Sequence, residues 1–224
     1  MEFKVILTGA TGLVGEGVLL ACLKHPAIKE ILMVNRKKVG LTHPKLKELI
    51  VPNFFDLAQF EEQLKGYDAC FYCAGISSNG VNEVDYTKIT FDTPMQFAQT
   101  LVSVNPTMVF GHISGSHTDS SEQGKIMWAR VKGKAENALL KLPFKRVYNF
   151  RPGFMKPTKG QKNVKGYYKA IGSLYPLLHF LFPNNVSTMA QVGLAMINSV
   201  IIGYDKSVLE VKDIKELANV YLSE

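Results

Sequence analysis

Gly9-Ala10-Thr11-Gly12-Leu13-Val14-Gly15 stands between an apolar run, Phe3 to Thr8, and a segment whose apolar residues recur at helical spacing, Leu13 to Lys24. A buried strand that ends in such a turn and enters a helix at once must reverse tightly, bring backbone N–H groups up to a ligand and seat the helix closely on the sheet. The N–H groups and dipole at the helix start favour an anion. The stretch therefore reads as the pyrophosphate-binding turn of a dinucleotide site, with Gly9, Thr11, Gly12, Leu13, Val14 and Gly15 against the cofactor. A glycine-rich turn without a ligand is the competing reading, and the strand–turn–helix order weighs against it.

Strand and helix patterns alternate beyond this turn. His25-Pro26 ends the first helix, and strands are expected at Glu30–Asn35 and Leu46–Val51. A helix over Leu57–Lys65, closed by Gly66, precedes a fourth strand at Ala69–Ala74. A long helix over Glu83–Val104, kinked or broken at Pro94, leads to a fifth strand, Thr107–Ser114. A helix over Glu122–Leu142 and a sixth strand, Arg146–Phe150, close at Arg151-Pro152-Gly153. Residues 154–185 then hold a Lys-rich loop and an apolar helical segment, followed by a helix Thr188–Tyr204, a strand Val208–Val211 and a helix Asp213–Leu222. This order implies an α/β fold with a doubly wound parallel sheet, a Rossmann fold, carrying a small C-terminal lobe on the substrate side. The chain is expected to be one dinucleotide-binding domain over residues 1–224, with 154–185 as a substrate-side insertion.

Composition narrows the partners. The chain is 46% hydrophobic and 20% charged, ordinary for a soluble globular protein. The net charge of +7 suits nucleic acid, an acidic membrane surface or an anionic small molecule. No zinc finger, RNA-recognition strand motif or long basic helix accompanies it, so nucleic acid is not expected and a mildly basic solvated surface is the plainer reading. Cys22, Cys70 and Cys73 are too few, and odd in number, for a disulfide framework. Cys70-Phe71-Tyr72-Cys73 imitates a redox pair, but residues three apart on a strand face opposite sides, so both read as small core residues. No metal-ligand set is assigned. The chain opens on a strand rather than a secretory signal, and Leu174–Phe182 is too short to span a bilayer. No membrane span is expected, and a reducing, cytoplasmic setting is the default.

Cofactor choice rests on the end of the second strand. An NAD site places an acidic residue there, about 20 residues past the turn, for the ribose hydroxyls. The row Met33-Val34-Asn35-Arg36-Lys37-Lys38 has none. Arg36, beside Asn35, can fork a 2′-phosphate and stack on adenine, so NADP is expected and NAD is the second choice. A solvated basic turn is the alternative. Asp56-Leu57 would flank the adenine, and Cys73-Ala74-Gly75 would let the cofactor pass over the fourth strand.

Thr8 to Gly15, Asp56-Leu57, Cys73-Ala74-Gly75, Ser114-Gly115-Ser116, Lys132-Gly133-Lys134-Ala135-Glu136 and Arg151-Pro152-Gly153 occur in the order and spacing of a known family. On these residues the chain resembles the short-chain dehydrogenase/reductase superfamily, in its atypical or extended, epimerase- and NmrA-like branch. The resemblance implies a Tyr-x-x-x-Lys pair on the helix after strand five. The tyrosine exchanges a proton with the substrate oxygen, the lysine lowers the tyrosine pKa and holds the nicotinamide ribose, and a serine at the end of strand five bonds the substrate oxygen. It also places Pro152 and Gly153 beside the cofactor. Lys132 takes the lysine position, but Trp128 stands where the tyrosine belongs. Indole only donates, and acid–base work needs a group that titrates in range. Trp128 is then expected as an aromatic lid on nicotinamide or substrate, with Ser114 or Ser116 at the serine position or capping a turn. The proton would come from His117, in the loop after strand five, from Tyr86, or from ordered water; an ordinary exposed loop residue is the weightier reading of His117.

Lys156, Lys159, Lys162, Lys165 and Lys169 follow the sixth strand and would draw an anionic substrate, meet the cofactor phosphates, or form a solvated loop. Tyr167-Tyr168 and Leu174–Phe182 would wall a pocket, cover the sheet or form a homodimer surface. So little chain follows Arg151 that a small substrate fits best. Two functions stand open: an NADP-dependent oxidoreductase acting on a small carbonyl-containing or anionic substrate, and a non-catalytic NADP-binding regulator or redox sensor. Ser114 and Lys132 favour the first, Trp128 the second.

Overall fold

The structure, a computed structural model, describes residues 1–164, 166, 172 and 174–220. Its main strands are β1 (Phe3–Thr8), β2 (Ile28–Asn35), β3 (Leu46–Ile50), β4 (Ala69–Tyr72), β5 (Val109–Ile113) and β6 (Arg146–Phe150). Short strands β7 (Phe154–Lys156), β8 (Val186–Thr188) and β9 (Val208–Leu209) follow. Seven strands form one parallel sheet in the order β3-β2-β1-β4-β5-β6-β9, while β7 and β8 pair separately. This is the expected doubly wound Rossmann fold. The chain leaves β1 toward β2 and β3, then returns to place β4 on the other side. A crevice therefore opens at the carboxyl ends of β1 and β4.

The sheet is covered on both faces, which is why its strands are continuous apolar runs. Val5, Leu7, Met33 and Phe71 pack under α1 (Leu13–Lys24), α7 (Met189–Ile201) and α8 (Val211–Ala218). Ile6, Val34, Cys70, Tyr72 and Phe110 pack under α4 (Thr93–Val104) and α5 (Met127–Leu139). Cys70 and Cys73 join opposite layers, as strand periodicity predicts, and all three cysteines are unpaired thiols. Burial pushes the Cys22 thiol up to about 12 and raises the other two.

Three helices depart from expectation, each for a local reason. The long helix runs as α3 (Glu83–Thr87), a wide π turn (Lys88–Asp92) and α4. Pro94 sits in the first turn of α4, where its ring would crowd the carbonyl four residues back, and the wide turn just before it absorbs the mismatch. The helix expected from Leu57 is a 3-10 segment, Phe54–Phe60, followed by α2 (Glu61–Leu64); Asn53 caps it by accepting from the Phe55 N–H at 3.1 Å.

The helix expected from Glu122 starts only at Met127. The Asp119 carboxylate accepts from the Ser121 N–H (3.0 Å), the Ser121 hydroxyl (2.6 Å) and the Gly124 N–H (2.6 Å), and holds residues 119–124 in a loop. That loop lies on α5 at Gly133, where a Cβ would stand 1.8 Å from the Asp119 carbonyl oxygen.

In the C-terminal part, Thr188 and Gln191 form a capping box on α7, and Glu210 with Asp213 starts α8 two residues before the expected position. Between them lies α6 (Tyr175–Leu181), none of whose residues is buried; Phe180 is 81% exposed, so this segment does not cover the sheet. Lys165, Tyr167, Tyr168, Lys169 and Leu222 lie outside the described residues. Among the described residues no helix is long and apolar enough to cross a membrane.

Candidate functional site

A cleft of about 690 Å³ opens over the carboxyl ends of β1, β4 and β5. Its walls are Thr11–Val14, Tyr72–Ser77, Ile89, Thr90, Pro94, His112–Ser114, Lys132 and residues 162–164. At one end Gly9 holds a left-handed φ of +70°, and a Cβ there would stand 2.6 Å from the Cys73 carbonyl carbon. A Cβ on Gly15 would stand 2.0 Å from the Gly9 oxygen, so a bare turn is what lets α1 start this close to β1. Gly12 caps α1 without any side-chain hydrogen bond, which leaves the helix start to an anion. This is a cradle that side chains would fill, and it fits a dinucleotide.

Two residues that the sequence reading left without a role shape this end. Thr8 is fully buried, and its hydroxyl accepts from the N–H groups of Cys73 and Ala74, both at 3.1 Å, tying β1 to the exit of β4. Glu16, in the first turn of α1, accepts from the N–H groups of Lys162 and Asn163, both at 2.7 Å, while Gln161 donates to the Leu13 carbonyl at 2.7 Å. These bonds strap the loop across the helix start and bring Lys162 to the cleft. Lys156 instead lies 5.2 Å from the Tyr175 ring, and Lys159 is exposed.

Toward the adenosine side, none of Asn35, Arg36, Asp56 and Leu57 lines the cleft. Asn35 is buried and donates to Glu48 at 3.0 Å; Glu48 also accepts from the Val39 N–H at 2.9 Å. A carboxylate thus reaches the end of β2 from β3, although the turn after β2 carries none. Arg36 is exposed beside it, within electrostatic range of Tyr72. Asp56 accepts from the Asn53 side chain at 2.8 Å, and Leu57 is fully buried, so its side chain serves the core rather than a cofactor. Cys73, Ala74 and Gly75 do line the cleft.

At the other end stand Ser114 and Lys132. Thr118 donates to the Gly115 carbonyl at 2.7 Å, so in its 3.2 Å contact with Ser114 the serine is the donor. The Ser114 oxygen therefore offers lone pairs to the cleft. Burial lowers the Lys132 pKa, against the opposing charge of Glu136 one turn on. Ser116, His117 and Trp128 do not line the cleft: the loop after Ser114 turns back onto α5, where the Asp119 N–H donates to the Ala129 carbonyl at 3.1 Å, and Trp128 sits in the first turn of that helix. His117 is exposed at a φ of +65°, and Trp128 is half-buried, not over the cleft as a lid. Tyr86 is buried and hydrogen-bonded to Thr90, outside the lining.

His112 and Tyr72 line the cleft floor instead. His112 is 3% exposed, with Nδ1 2.9 Å from the Asn149 Oδ1; burial, aided by the Lys132 charge, pushes its pKa down to about 4. Burial raises the Tyr72 phenol. The signal for His112 was its place two residues before Ser114, on the same strand face. Arg151-Pro152-Gly153 is structural. The Arg151 guanidinium binds the buried Glu136 through two nitrogens, Glu210 at 3.0 Å and the Ser120 hydroxyl at 2.6 Å. Pro152 is buried, and a Cβ on Gly153 would stand 1.9 Å from the Asn185 oxygen; neither lines the cleft.

No family model matches the chain. It is 23% identical over 154 residues to Protein HTATIP2 of Rattus norvegicus, a match covering 68% of this chain and 62% of the rat protein. It is 25% identical over 155 residues to Protein FMP52-1, mitochondrial, of Scheffersomyces stipitis, covering 68% of this chain and 67% of that protein. Among solved structures it resembles the Bordetella bronchiseptica enzyme WbmF in complex with NAD+, with a TM-score of 0.65 at 13% identity over 97% of this chain and 76% of that one. A short chain dehydrogenase family protein from Francisella tularensis matches with a TM-score of 0.63 at 14% identity, covering 92% and 93%. These structural likenesses are likenesses of fold. They bear out the Rossmann fold that the motifs imply.

Proposed function

We propose that the chain is an NADP-dependent oxidoreductase of the atypical short-chain dehydrogenase/reductase type, acting on a small substrate. One observation carries this reading. A single cleft joins the uncapped start of α1 to Ser114 and Lys132, the span a dinucleotide needs between pyrophosphate and nicotinamide. The amides of the glycine turn bind the diphosphate, with Lys162 beside them. Arg36 takes the 2′-phosphate; Glu48, whose carboxylate is engaged by Asn35 and the Val39 N–H, shapes the β2–β3 turn rather than meeting the ribose. Lys132 holds the nicotinamide ribose, and Ser114 orients the substrate oxygen. The bound nicotinamide supplies hydride chemistry, and the chain supplies position and electrostatics. Three unpaired thiols suit a reducing, cytoplasmic setting, and the exposed apolar side chains of α6 suit a homodimer surface.

The alternative is an NADP-binding regulator without turnover, and Trp128 in the tyrosine position favours it. NADPH consumption against aldehydes, ketones, quinones and enones separates the two. Turnover that disappears in Lys132→Ala supports the oxidoreductase. Tight NADPH binding with no turnover across the whole panel, and no reduction of NADP+ by alcohols, supports the regulator.

A further inference from the structure

The proposed oxidoreductase has no tyrosine beside Lys132 to handle a proton, yet the cleft floor holds a histidine whose protonation is fixed by its surroundings. His112 places Nδ1 2.9 Å from the Asn149 Oδ1. Behind it, the Asn149 Nδ2 donates to the Glu136 carbonyl at 3.4 Å. Oδ1 must therefore accept, and Nδ1 carries the hydrogen. Nε2 is left with its lone pair. No hydrogen bond among the described residues reaches Nε2, and it is not one of the fully enclosed unpartnered polar atoms, which are the hydroxyls of Thr158 and Ser187. Nε2 is therefore not fully enclosed, and the cavity that His112 lines is the cleft.

The groups around His112 set its charge. Tyr72 from β4 lies 6.1 Å away between ring centroids, Lys132 from α5 stands on the cleft wall, and Asn149 from β6 backs the ring, with Glu136 beyond it. Burial and the lysine charge both oppose protonation, so the ring is a neutral acceptor. Ser114 presents lone pairs as well, because its hydrogen goes to Thr118. Two acceptors at one end of a cleft complement a ligand that donates. A carbonyl oxygen would find a donor there only in Lys132, which the nicotinamide ribose takes, or in a protonated ring.

We propose that His112 Nε2 is the proton acceptor of this site and that the substrate is a secondary alcohol. This rests on the oxidoreductase reading. The alcohol O–H proton passes to Nε2 and the carbon–oxygen bond becomes a carbonyl. The hydrogen on that carbon leaves with its electron pair to the oxidised nicotinamide, the oxidant. The imidazolium, a strong acid here, then releases its proton to water.

The test needs a readout other than turnover, since His112 is buried and its variants risk misfolding. In the unmutated protein with 15N-labelled histidine, NMR is expected to show His112 as the Nδ1–H tautomer. Its Nε2 resonance should shift when cyclohexanol is added to the NADP+-saturated protein. His112→Asn and His112→Gln should lower kcat for cyclohexanol oxidation by about 100-fold or more, with KM and NADP+ affinity held within threefold. Wild-type oxidation should be flat above about pH 6, because the base is already free, while cyclohexanone reduction rises toward acid. An Nε2–H tautomer, an Nε2 resonance indifferent to the alcohol, or a His112→Asn kcat within threefold of wild type overturns the assignment, as does bound NADP+ with no alcohol oxidation. Failure to bind NADP+ at all removes the oxidoreductase reading instead, and the tautomer is still read independently.

Discussion

Removing His112 should change how the stability of the fold responds to pH. Burial, with the Lys132 charge added, holds this imidazole near 4 in the folded chain against an ordinary 6.5. A depressed folded pKa means that the unfolded chain binds the proton first. Stability from the neutral ring is therefore complete above about pH 6.5 and drains as pH falls toward 4. At about 1.4 kcal/mol per pH unit for one proton, that interval amounts to about 3 kcal/mol. For a domain of this size the same loss corresponds to roughly 6–12 °C in Tm. Urea unfolding of the wild type and His112→Gln at several pH values between 7 and 4.5 isolates the effect, because carboxylates that titrate in this range do so in both. The wild type should lose stability more steeply on acidification, and the two curves should converge. Parallel curves would refute the reasoning, since they would mean that the ring is already protonated or solvated in the native state.

Glu136→Gln should destabilise the fold by about 3 kcal/mol, because it leaves the Arg151 charge with only the half-exposed Glu210 as an anionic partner; the shift in the urea midpoint measures it. Thr8→Val keeps the shape but removes the one oxygen that accepts from the Cys73 and Ala74 N–H groups. Its expected cost is about 2–4 kcal/mol, together with weaker NADPH binding as the β4 exit relaxes, read by thermal unfolding and a fluorescence titration.

The sequence was most legible where the chain reports on itself. The apolar run into Gly9-Ala10-Thr11-Gly12 defines β1, the turn and α1 because every requirement is local: burial on both faces, a left-handed Gly9, and no room for a Cβ on Gly15. Ser114 and Lys132 were readable only through the motifs of the family that the chain resembles, which place them at a strand end and on a helix face. What escaped depends on contacts between distant segments. The role of His112 is set by Asn149 on β6 and Lys132 on α5, and Glu48 on β3 reaches Asn35 on the neighbouring β2. The late start of α5 follows from one carboxylate, Asp119, that bonds its own loop more effectively than a helix would use it. The same loop turns back onto α5, and Ser116 and His117, close to the site in sequence, stand outside it in space.

Calorimetric titration with NADP+ and NAD+, of the wild type and of Arg36→Ala, tests the central claim most directly. A dinucleotide seated on the uncapped start of α1 should bind at one site per chain, NADP+ more tightly than NAD+. Arg36→Ala should weaken NADP+ by roughly 10–100-fold and NAD+ far less, since only NADP+ loses the charge-assisted pair. No heat from either nucleotide at millimolar concentration would contradict the account.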